Sequence, residues 1–397
     1  MATLTNIDQD HSRAPGSARF VVATPQRSVC DDNARVLEKA GVLRFLALGT
    51  RRGTERVPLE RTRLNPAIGL LTYAASRALG TFKGESFRFR LLPWFDRWVL
   101  KQLTPGDHLI SSYGYANACF QFIRQHGGKT FVDAGNSHIE NFWQILSEEH
   151  RKWKSPYLPV SRFWYERARA MLAEVDFVLS PSSYVSSSFL ERGFRSEQIL
   201  SNVYPVNLAQ FHPPAEVPKN RPLTIINTGS LSLRKGTPYL LEAFKIVHRK
   251  HPSARLLLTR DIREDVLPIL TRYQDLPIEW SPLLPHTELV QRLHSSDVFV
   301  LPSLEEGLAR SALEAMASGL QVVLTPNTGA NDFIKSGVNG EVVAIRDSQA
   351  TAEAILKCAE RLRSRTAPDL TELRQKLSFE TFELTFLNQL KARNLIA

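Results

Sequence analysis

Short apolar runs that alternate with longer amphipathic segments are the feature that most limits how this chain can fold. In the first half, runs such as ARFVVATP (18–25), GVLRFLALG (41–49) and KTFVDAG (129–135) each end in small or turn-forming residues, as buried β-strands do. Helical patterns such as IENFWQILSEEHRKW (139–153) lie between such runs. This alternation predicts parallel β–α–β units and therefore an α/β fold.

The alternation stops near residue 205 and then restarts. The segment YPVNLAQFHPPAEVPKNRP (204–222) carries five prolines and no periodic pattern, which is typical of a linker. Beyond it, LTIINTG (223–229), ARLLLTR (254–260) and DVFVLPS (297–303) again have the pattern of strands separated by helices. A chain of 397 residues has the length for two such units. We therefore predict two doubly wound, Rossmann-like α/β domains.

These patterns also set the predicted domain boundaries. Residues 1–18 are expected to be a disordered lead-in, 19–205 the first domain, 206–222 the linker and 223–378 the second domain. Residues 379–397 form a terminal helix whose regularly spaced Phe and Leu residues give it an apolar face.

Composition narrows the class of protein. The hydrophobic content is 43% and the charged content 23%, both usual for a globular protein. No apolar run approaches the ~20 residues that span a bilayer, and the N-terminus lacks the apolar centre of a signal peptide. Cys30, Cys119 and Cys358 are far apart and odd in number, which fits neither a disulfide framework nor a zinc cluster and favours a reducing cytoplasm.

The net charge of +10 is unevenly distributed. Residues 44–101 hold twelve Lys or Arg against four Asp or Glu, with Trp94, Phe95 and Trp98 among them. Basic residues beside aromatics suit the inner face of an anionic membrane, where the protein would bind peripherally. They equally suit a polyanion such as nucleic acid, or a solvated basic face with its aromatics turned inward.

Two carboxylates surround the helix entrance in EEGLARSALEAMASGLQVV (305–323). Glu306 is expected in the loop after a strand, and Glu314 inside the helix with its side chain directed back toward the same N-terminus. Ligands of open α/β sheets lie at this end of the strands, and carboxylates accept hydrogen bonds from paired sugar hydroxyls.

The same entrance has features that suit an anion. Gly307 permits a close backbone approach to a ligand. Backbone N–H groups at a helix N-terminus attract negative charge. The amides expected to face the ligand are those of Leu308, Ala309 and Arg310.

A second ligand-binding segment opens the same domain. LTIINTGSLSLRKG (223–236) consists of a predicted strand, a loop of small residues that includes Gly229, and then Arg234 and Lys235. Two cations after a strand end suit a diphosphate and would stabilise the charge that develops as it leaves. The two segments together predict a site for a nucleotide–diphosphate–sugar.

The second half closely resembles the retaining, family-4 type of GT-B glycosyltransferases (glycosyl transferases group 1). The resemblance rests on GSLSLRKG, HSSDVFVLPSLEEG, EEGLARSALEAMASG, TGANDF and SGVNGEVV, and on the seven-residue interval between Glu306 and Glu314. It covers residues 223–345 firmly and the first half loosely. It implies the GT-B fold, in which two Rossmann-like domains face each other across a cleft and the terminal helix crosses back to the N-terminal domain. We therefore expect Phe382, Phe386 and Leu390 to pack mainly on residues below 205.

The resemblance also implies roles for the site residues. Glu306 would contact the hydroxyls of the donor sugar and Glu314 the ribose, while Arg234 and Lys235 would hold the diphosphate. The implied reaction is a metal-independent, retaining transfer of a sugar to an acceptor that is a glycan, a lipid-linked molecule or a small molecule. The nucleotide-sugar is a substrate, so no cofactor is implied. The loop ATPQRSVCDDN (23–33) departs from the pattern, because it lacks the glycines that many relatives have near the phosphates.

The N-terminal half is expected to bind the acceptor. In KTFVDAGNSHIENFWQILSEEH (129–150), Ser137 and Glu140 have the spacing of a capping box. His138 would then lie at the helix entrance, neutral and facing the interdomain cleft, as a catalytic group or as a structural one. Asp133, at a predicted strand end, is a second acceptor-side residue.

Two other classes of function remain as alternatives. One is a non-catalytic scaffold that binds nucleotide-sugars with the same fold, and the other is a nucleic-acid-binding protein, for which no recognisable module is present. The scattered histidines lack metal-ligand spacing. No G-x-G-x-x-G follows a strand, which argues against a dinucleotide oxidoreductase. The sequence does not specify the donor nucleotide, the sugar, the acceptor, the linkage or the oligomeric state.

Overall fold

In a computed structural model the chain forms two parallel-sheet α/β domains, as the sequence predicts. The structure describes residues 19–26, 28, 30–50, 57–215, 221–259, 261–282, 284–361 and 369–397. The predicted lead-in, 1–18, and part of the predicted linker, 216–220, lie outside the described residues.

The N-terminal domain has seven parallel strands in the order β3-β2-β1-β4-β5-β6-β7. The strands are β1 (Arg19–Thr24), β2 (Leu43–Leu48), β3 (Thr62–Leu64), β4 (Asp107–Ser112), β5 (Thr130–Asp133), β6 (Phe177–Ser180) and β7 (Ile199–Ser201). Its helices are α1 (Cys30–Lys39), α2 (Pro66–Arg90), α3 (Leu92–Leu100), α4 (Asn117–Gln125), α5 (Ile139–Lys152), α6 (Arg162–Leu172) and α7 (Ser183–Leu190). The long helix α2 is kinked at Gly80, whose φ is +75°.

The C-terminal domain has six parallel strands in the order β10-β9-β8-β11-β12-β13. The strands are β8 (Thr224–Asn227), β9 (Arg255–Thr259), β10 (Ile278–Ser281), β11 (Val298–Leu301), β12 (Gln321–Leu324) and β13 (Gly340–Val342). Its helices are α8 (Thr237–Lys250), α9 (Leu267–Leu270), α10 (His286–His294), α11 (Arg310–Ala317), α12 (Ser348–Arg361) and α13 (Thr371–Lys376), and the final helix is α14 (Phe379–Lys391). Helix α11 ends with Gly319 at φ +81° just beyond its C-cap.

The sequence of each strand explains its place in the sheet. The central strands β5, β8, β11 and β12 are buried along their whole length, which matches their continuous apolar runs and the helices that cover both faces of each sheet. In both domains the strand order reverses beside the first strand, so that β1 and β4, and β8 and β11, flank the point where ligands of such sheets bind.

Helix α14 crosses back onto the N-terminal domain, as predicted. Phe382, Phe386 and Leu390 are buried in a cluster with Phe20, Phe131 and other residues of that domain. The guanidinium of Arg35 lies 4.0 Å from the ring centroid of Phe379, which extends the contact to α1. Three buried apolar side chains, each worth about 1.5–3 kcal/mol, are sufficient to hold the crossing helix in place.

The interpretation of Trp94, Phe95 and Trp98 as the exposed aromatics of a membrane-binding surface is wrong in part. Phe95 is fully buried in the core and Trp98 packs against that core, whereas Trp94 is 44% exposed. Residues 92–100 form a helix in which Leu92, Phe95 and Val99 face inward, because apolar residues at intervals of three and four lie on one helix face.

Candidate active site

The loop after β8 is held by hydrogen bonds at the carboxyl end of the C-terminal sheet. The side chain of Asn227 donates to the carbonyl of Val300 (2.7 Å) and accepts from the amide of Gly229 (3.0 Å). The Gly229 carbonyl accepts from the Thr259 hydroxyl at 2.9 Å. Gly229 is therefore fixed where β8, β9 and β11 end, and its contact with a donor stays a prediction.

The chain then turns so that Arg234 and Lys235 approach the end of β11. Gly236 permits this turn, because its φ is +69° and a Cβ would lie 2.0 Å from the carbonyl oxygen of Pro302. The Lys235 amide donates to the Ser232 hydroxyl at 3.1 Å, which closes the turn. The Lys235 side chain retains 14% of its accessible surface.

Glu306 meets both cations, so the structure brings together the three residues predicted for the centre of the site. The Arg234 Nη1 lies 2.8 Å from Glu306 Oε1, and the Lys235 ammonium contacts the same oxygen. Burial would raise the pKa of Glu306, but the two cations outweigh burial and lower it. Burial also lowers the pKa of Lys235 despite the partly offsetting Glu306 charge. Arg234, Lys235 and Glu306 together carry one net positive charge, which suits an incoming anion when the neighbouring Glu305 is protonated.

Glu305 is a member of this site that the sequence analysis missed. It is fully buried, its carboxylate accepts from Asn136 Nδ2 (2.8 Å) and from the Ser137 amide (2.9 Å), and its carbonyl accepts from Arg234 (2.8 Å). Burial, opposed by Arg234, raises its pKa to about 7. Glu305 therefore joins the loop that carries the two cations to the N-terminal domain.

Gly307 has a close backbone approach within the protein itself. A Cβ on Gly307 would lie 2.2 Å from the carbonyl oxygen of Gly135, and the Gly307 carbonyl accepts from the Ser182 hydroxyl at 2.7 Å. A Cβ on Gly329 would in turn lie 2.1 Å from the Gly307 carbonyl oxygen. In this structure the missing side chain of Gly307 leaves room for the backbone of the other domain, and its approach to a ligand stays a prediction.

The helix that follows begins later than predicted. Helix α11 begins at Arg310 with Ala309 as its N-cap. The Ala309 amide donates to the Thr328 carbonyl at 2.9 Å, so the prediction that this amide faces an anion is wrong for this structure. Leu308 is buried, while Arg310 is exposed at the helix entrance. Glu314 is half-buried on α11, and its contact with a ribose stays a prediction.

His138 lies at the N-terminus of α5 but not in the predicted capping box. His138 itself is the N-cap, and its Nδ1 accepts from the Glu140 amide at 3.3 Å. The Glu140 carboxylate bonds Arg169 and Arg192 instead of reaching back to the helix start. The Ser137 amide, which the predicted box would pair with Glu140, donates to Glu305 instead.

The surroundings of His138 lie within the N-terminal domain. Its amide donates to the Ser188 hydroxyl at 2.8 Å, and its ring packs edge-on against Phe189 and Phe194. Burial lowers the pKa of His138 to about 4, so the ring is neutral as expected. Its position one residue after Ser137 places it directly beside the contact with Glu305, and its role in catalysis stays a prediction.

Asp133 lies at the equivalent strand end of the N-terminal domain. Its carboxylate accepts from the Tyr204 hydroxyl (3.0 Å) and from Asn33 Nδ2 (3.3 Å), and it neighbours the Cys30 thiol. Burial raises its pKa to about 6. Asp133 is thus a buried acid within a network of neutral polar groups, and whether it binds an acceptor stays a prediction.

An apolar pocket opens beside the cationic cluster, at the ends of β8, β9 and β10. Its walls combine aliphatic side chains with a few polar groups, as nucleoside-sized sites do. The lining residues are Ile226, Asn227, Thr228, Leu257, Leu258, Thr259, Ser281, Leu284, Leu289 and Arg292. Asn227 belongs both to this pocket and to the loop that leads to Arg234.

Two kinds of feature are absent from the described residues. They contain no cluster of three or more His, Cys, Asp or Glu side chains arranged to hold a metal ion. Among the same residues, no helix has the length and apolar character needed to cross a bilayer.

Known proteins resemble both the site region and the whole fold. Residues 222–361 match the model of the family described as "Glycosyl transferases group 1". The chain is 24% identical over 276 residues to the amylovoran biosynthesis glycosyltransferase AmsK of Erwinia amylovora, which covers 64% of this chain and 61% of the relative. The match spans about half to two thirds of the length of AmsK and of three other curated relatives. For one more curated relative it spans 36% of the length.

Solved structures extend the similarity to nearly the whole chain. Sucrose-phosphate synthase from Thermosynechococcus elongatus superposes with a TM-score of 0.67 at 18% identity, over 95% of this chain and 98% of that one. Anabaena Alr3699/HepE in complex with UDP-glucose gives a TM-score of 0.63 at 14% identity, over 94% and 99%. The fold is therefore GT-B, with two Rossmann-like domains, and the segment that holds the cationic cluster is similar to the group 1 glycosyltransferases.

Proposed function

We propose that this protein is a glycosyltransferase that moves a sugar from a nucleotide–diphosphate–sugar to an acceptor, with retention of anomeric configuration and without a metal ion. The observation that carries the proposal is the convergence of Arg234 and Lys235 on Glu306 at the carboxyl end of the C-terminal sheet. This convergence lies within the segment that matches the family model. HepE, which was determined with UDP-glucose, supports this class of donor by analogy of fold.

The donor would lie along the ends of β8, β9 and β11. The nucleoside would occupy the apolar pocket, which contains Asn227 and Thr259. The diphosphate would lie at Arg234 and Lys235, and the sugar near Glu306. Because Glu306 contacts both cations in this structure, a bound diphosphate would take over part of their charge and release the carboxylate for the sugar hydroxyls.

The cations would stabilise the transition state more than the ground state. As the bond between the anomeric carbon and the diphosphate oxygen breaks, negative charge grows on the leaving group beside Arg234 and Lys235, while the sugar becomes oxocarbenium-like. The acceptor oxygen would bond to the anomeric carbon on the same face. A β-phosphate oxygen would take the acceptor proton, which balances the step without a separate protein base.

The N-terminal domain would supply the acceptor side. The contact of Glu305 with Asn136 and Ser137 fixes the loop before His138 against the donor loop. A neutral His138 can donate or accept a hydrogen bond to the sugar or to the acceptor. We assign Asp133 to the same side of the cleft, further from the donor.

A turnover assay with a panel of nucleotide-sugars tests the proposal, with release of nucleoside diphosphate as the readout. At least one donor should be consumed, and Glu306→Gln should remove that turnover while the protein remains folded. Binding of a nucleotide-sugar with no turnover for any acceptor class would favour the non-catalytic scaffold instead. Failure of every nucleotide-sugar to bind or react would reject both.

A further inference from the structure

A stripe of basic and aromatic residues runs along the outside of α2 and α3. It consists of Lys83, Phe87, Arg90, Trp94, Arg97 and Lys101, all of them exposed. These residues recur at intervals of four, three, four, three and four, which places them on one face of a helix. Leu91, between the two helices, keeps helical backbone angles (φ −82°, ψ −14°), so that the face continues across the junction. We call this surface the basic–aromatic stripe.

Exposed apolar side chains are concentrated in the segment of the chain that leads into and includes the stripe. Of the fourteen large hydrophobic residues that are exposed in the described part of the chain, seven lie between residues 59 and 94. Leu70 is 68% exposed and Tyr73 62% exposed. Single exposed apolar residues are ordinary, but a local concentration marks an interaction surface. The seven residues are Leu59, Leu70, Leu71, Tyr73, Leu79, Phe87 and Trp94.

The positive charge of the stripe is not neutralised by the part of the chain that the structure describes. Over the described residues, none of its four Lys and Arg side chains forms an ion pair. The acids of the same helices are engaged elsewhere, since Glu85 pairs with Arg263 at 2.7 Å and Asp96 with Arg167 at 3.1 Å. The surface therefore presents positive charge and apolar side chains together.

The combination of charges and side chains selects one partner. A second copy of the chain docked by the same face would bring cations against cations. A nucleic acid would match the charge and could stack on Trp94, but it gives the exposed Leu70, Leu71 and Leu79 no apolar environment. An anionic bilayer matches both features, because its phosphates attract Lys and Arg while Trp and Leu enter the headgroup boundary. We propose that the basic–aromatic stripe and its neighbouring apolar residues dock this protein on an anionic lipid bilayer.

The same helix borders the interface between the domains. Glu85 pairs with Arg263 of the C-terminal domain, whose guanidinium lies 5.4 Å from the Phe82 ring centroid. The Phe82 ring stacks on Tyr157 at 4.6 Å. Docking through α2 therefore places the interdomain cleft close to the bilayer. Docking itself does not depend on the proposed function, whereas its consequence, that the acceptor is lipid-linked, rests on it.

Vesicle flotation of the full chain tests the docking proposal. Vesicles of phosphatidylcholine, with and without phosphatidylglycerol, are compared at low and high ionic strength. Wild-type protein should float only with the anionic vesicles, and salt should weaken the association because screening shortens the reach of surface charges. A wild-type protein that ignores anionic vesicles at low ionic strength would overturn the proposal.

A matched pair of charge reversals locates the surface. Lys83→Glu/Arg90→Glu/Arg97→Glu changes the stripe, and Arg249→Glu/Lys250→Glu/Arg255→Glu makes the same charge change at exposed cations of the C-terminal domain. Each cation close to an anionic surface strengthens partitioning about fivefold, so loss of the three cations alone should weaken partitioning about a hundredfold, and the three added carboxylates should weaken it further. The control should retain most of its binding, and equal losses in the two variants would show that only net charge matters.

Trp94 supplies a readout that does not depend on folding of the charge-reversed variant. The difference in fluorescence between wild type and Trp94→Phe should shift to the blue with anionic vesicles and be quenched by brominated lipids. A Trp94 signal that vesicles leave unchanged contradicts insertion of the stripe. Tighter binding to an oligonucleotide than to vesicles, or a stripe-dependent dimer without vesicle binding, would assign the surface to another partner and overturn the proposal.

Discussion

The two domains place buried acids at equivalent ends of their sheets, but in opposite electrical surroundings. In the C-terminal domain Glu306 lies between Arg234 and Lys235, and these cations lower its pKa. In the N-terminal domain Asp133 contacts the neutral groups of Tyr204 and Asn33, and burial raises its pKa to about 6. The sheets share their architecture, whereas the side chains that follow the strands give each end its own chemistry.

The difference indicates which half can hold which part of a substrate pair. A diphosphate needs cations. Of the two regions, the one around Glu306 has two cations in contact with the acid, and the one around Asp133 has neutral partners. A neutral hydroxyl-bearing molecule suits the polar but cation-poor surroundings of Asp133. Glu305 joins the two regions, because its carboxylate bonds the N-terminal loop while its carbonyl bonds Arg234.

The largest effect on stability is expected where helix α14 packs against the N-terminal domain. Phe386 is fully buried against that domain, so Phe386→Ala should lower the free energy of unfolding by about 3–5 kcal/mol. Leu384→Ala, on the same helix at a residue that is 62% exposed, should change it little. Chemical denaturation of both variants makes the measurement, and equal stability of the two would show that α14 does not hold the domain.

Removal of the Lys235 side chain tests the proposed diphosphate site of the C-terminal domain. Lys235→Ala should lower the transfer rate by about 10²–10³, since one preorganised electrostatic contact to the developing charge is lost. Lys245→Ala removes a lysine from the same domain, paired with Glu242 on the helix surface, and should leave the rate unchanged. Full activity in folded Lys235→Ala protein is incompatible with the diphosphate assignment.

Glu305→Gln tests the connection between the halves. The pKa of Glu305 rises from 4.5 to about 7 on folding, so the folded protein binds the proton more tightly than the unfolded chain. Protonation of Glu305 therefore adds to the free energy of unfolding below pH 4.5, and this contribution is lost as the pH rises toward about 7. The free energy of unfolding changes by at most about 1.4 kcal/mol per pH unit through this group.

The measurement is the free energy of unfolding of wild type minus that of Glu305→Gln as a function of pH. This difference should decline between pH 4.5 and about 7. Glu380→Gln, at an exposed position on α14, supplies the control for the loss of one glutamate. A flat difference for Glu305→Gln would place its carboxylate in contact with solvent.

The smallest effect is expected for Asp133→Asn. Because the pKa of Asp133 rises from 3.8 to about 6, its contribution to stability is lost as the pH rises through about 6, and Asn should remove that dependence. The affinity for a nucleoside diphosphate, measured by calorimetry, should stay at the wild-type value. A loss of affinity comparable to that in Lys235→Ala would show that the donor had been assigned to the wrong domain.

The meeting of Arg234, Lys235 and Glu306 at one sheet end was largely predictable from the sequence because its determinants are local. A strand followed within a few residues by Gly229, Arg234 and Lys235 places those residues at a sheet end, whatever the rest of the chain does. Glu306 follows β11 in the same way. Glu305 was not predictable, because its partners Asn136 and Ser137 are 169 and 168 residues away and meet it only through domain packing.

The same reasoning explains the errors at individual elements. The sequence analysis made no prediction for β3, since Thr62–Leu64 is too short to show a periodic pattern. It predicted Ser137 as the cap of α5, where His138 caps instead and the Ser137 amide bonds a carboxylate from the other domain. The close approach of the Gly135 backbone to Gly307 was likewise not predicted, because it joins the two domains. The strand β3 is too short to leave a pattern in the sequence. The contacts at Ser137 and Gly307 join the two domains, so the local sequence does not show them.

Calorimetric titration with matched nucleoside diphosphates and monophosphates tests the central claim, that the Arg234–Lys235–Glu306 cluster binds a diphosphate. At least one diphosphate should bind more tightly than its monophosphate, and at a hundred times its Kd it should stabilise the protein by about 2.7 kcal/mol. Lys235→Ala should remove the preference for the diphosphate while Asp133→Asn keeps it. Absence of binding by every diphosphate, or an unchanged preference in Lys235→Ala, would contradict the account.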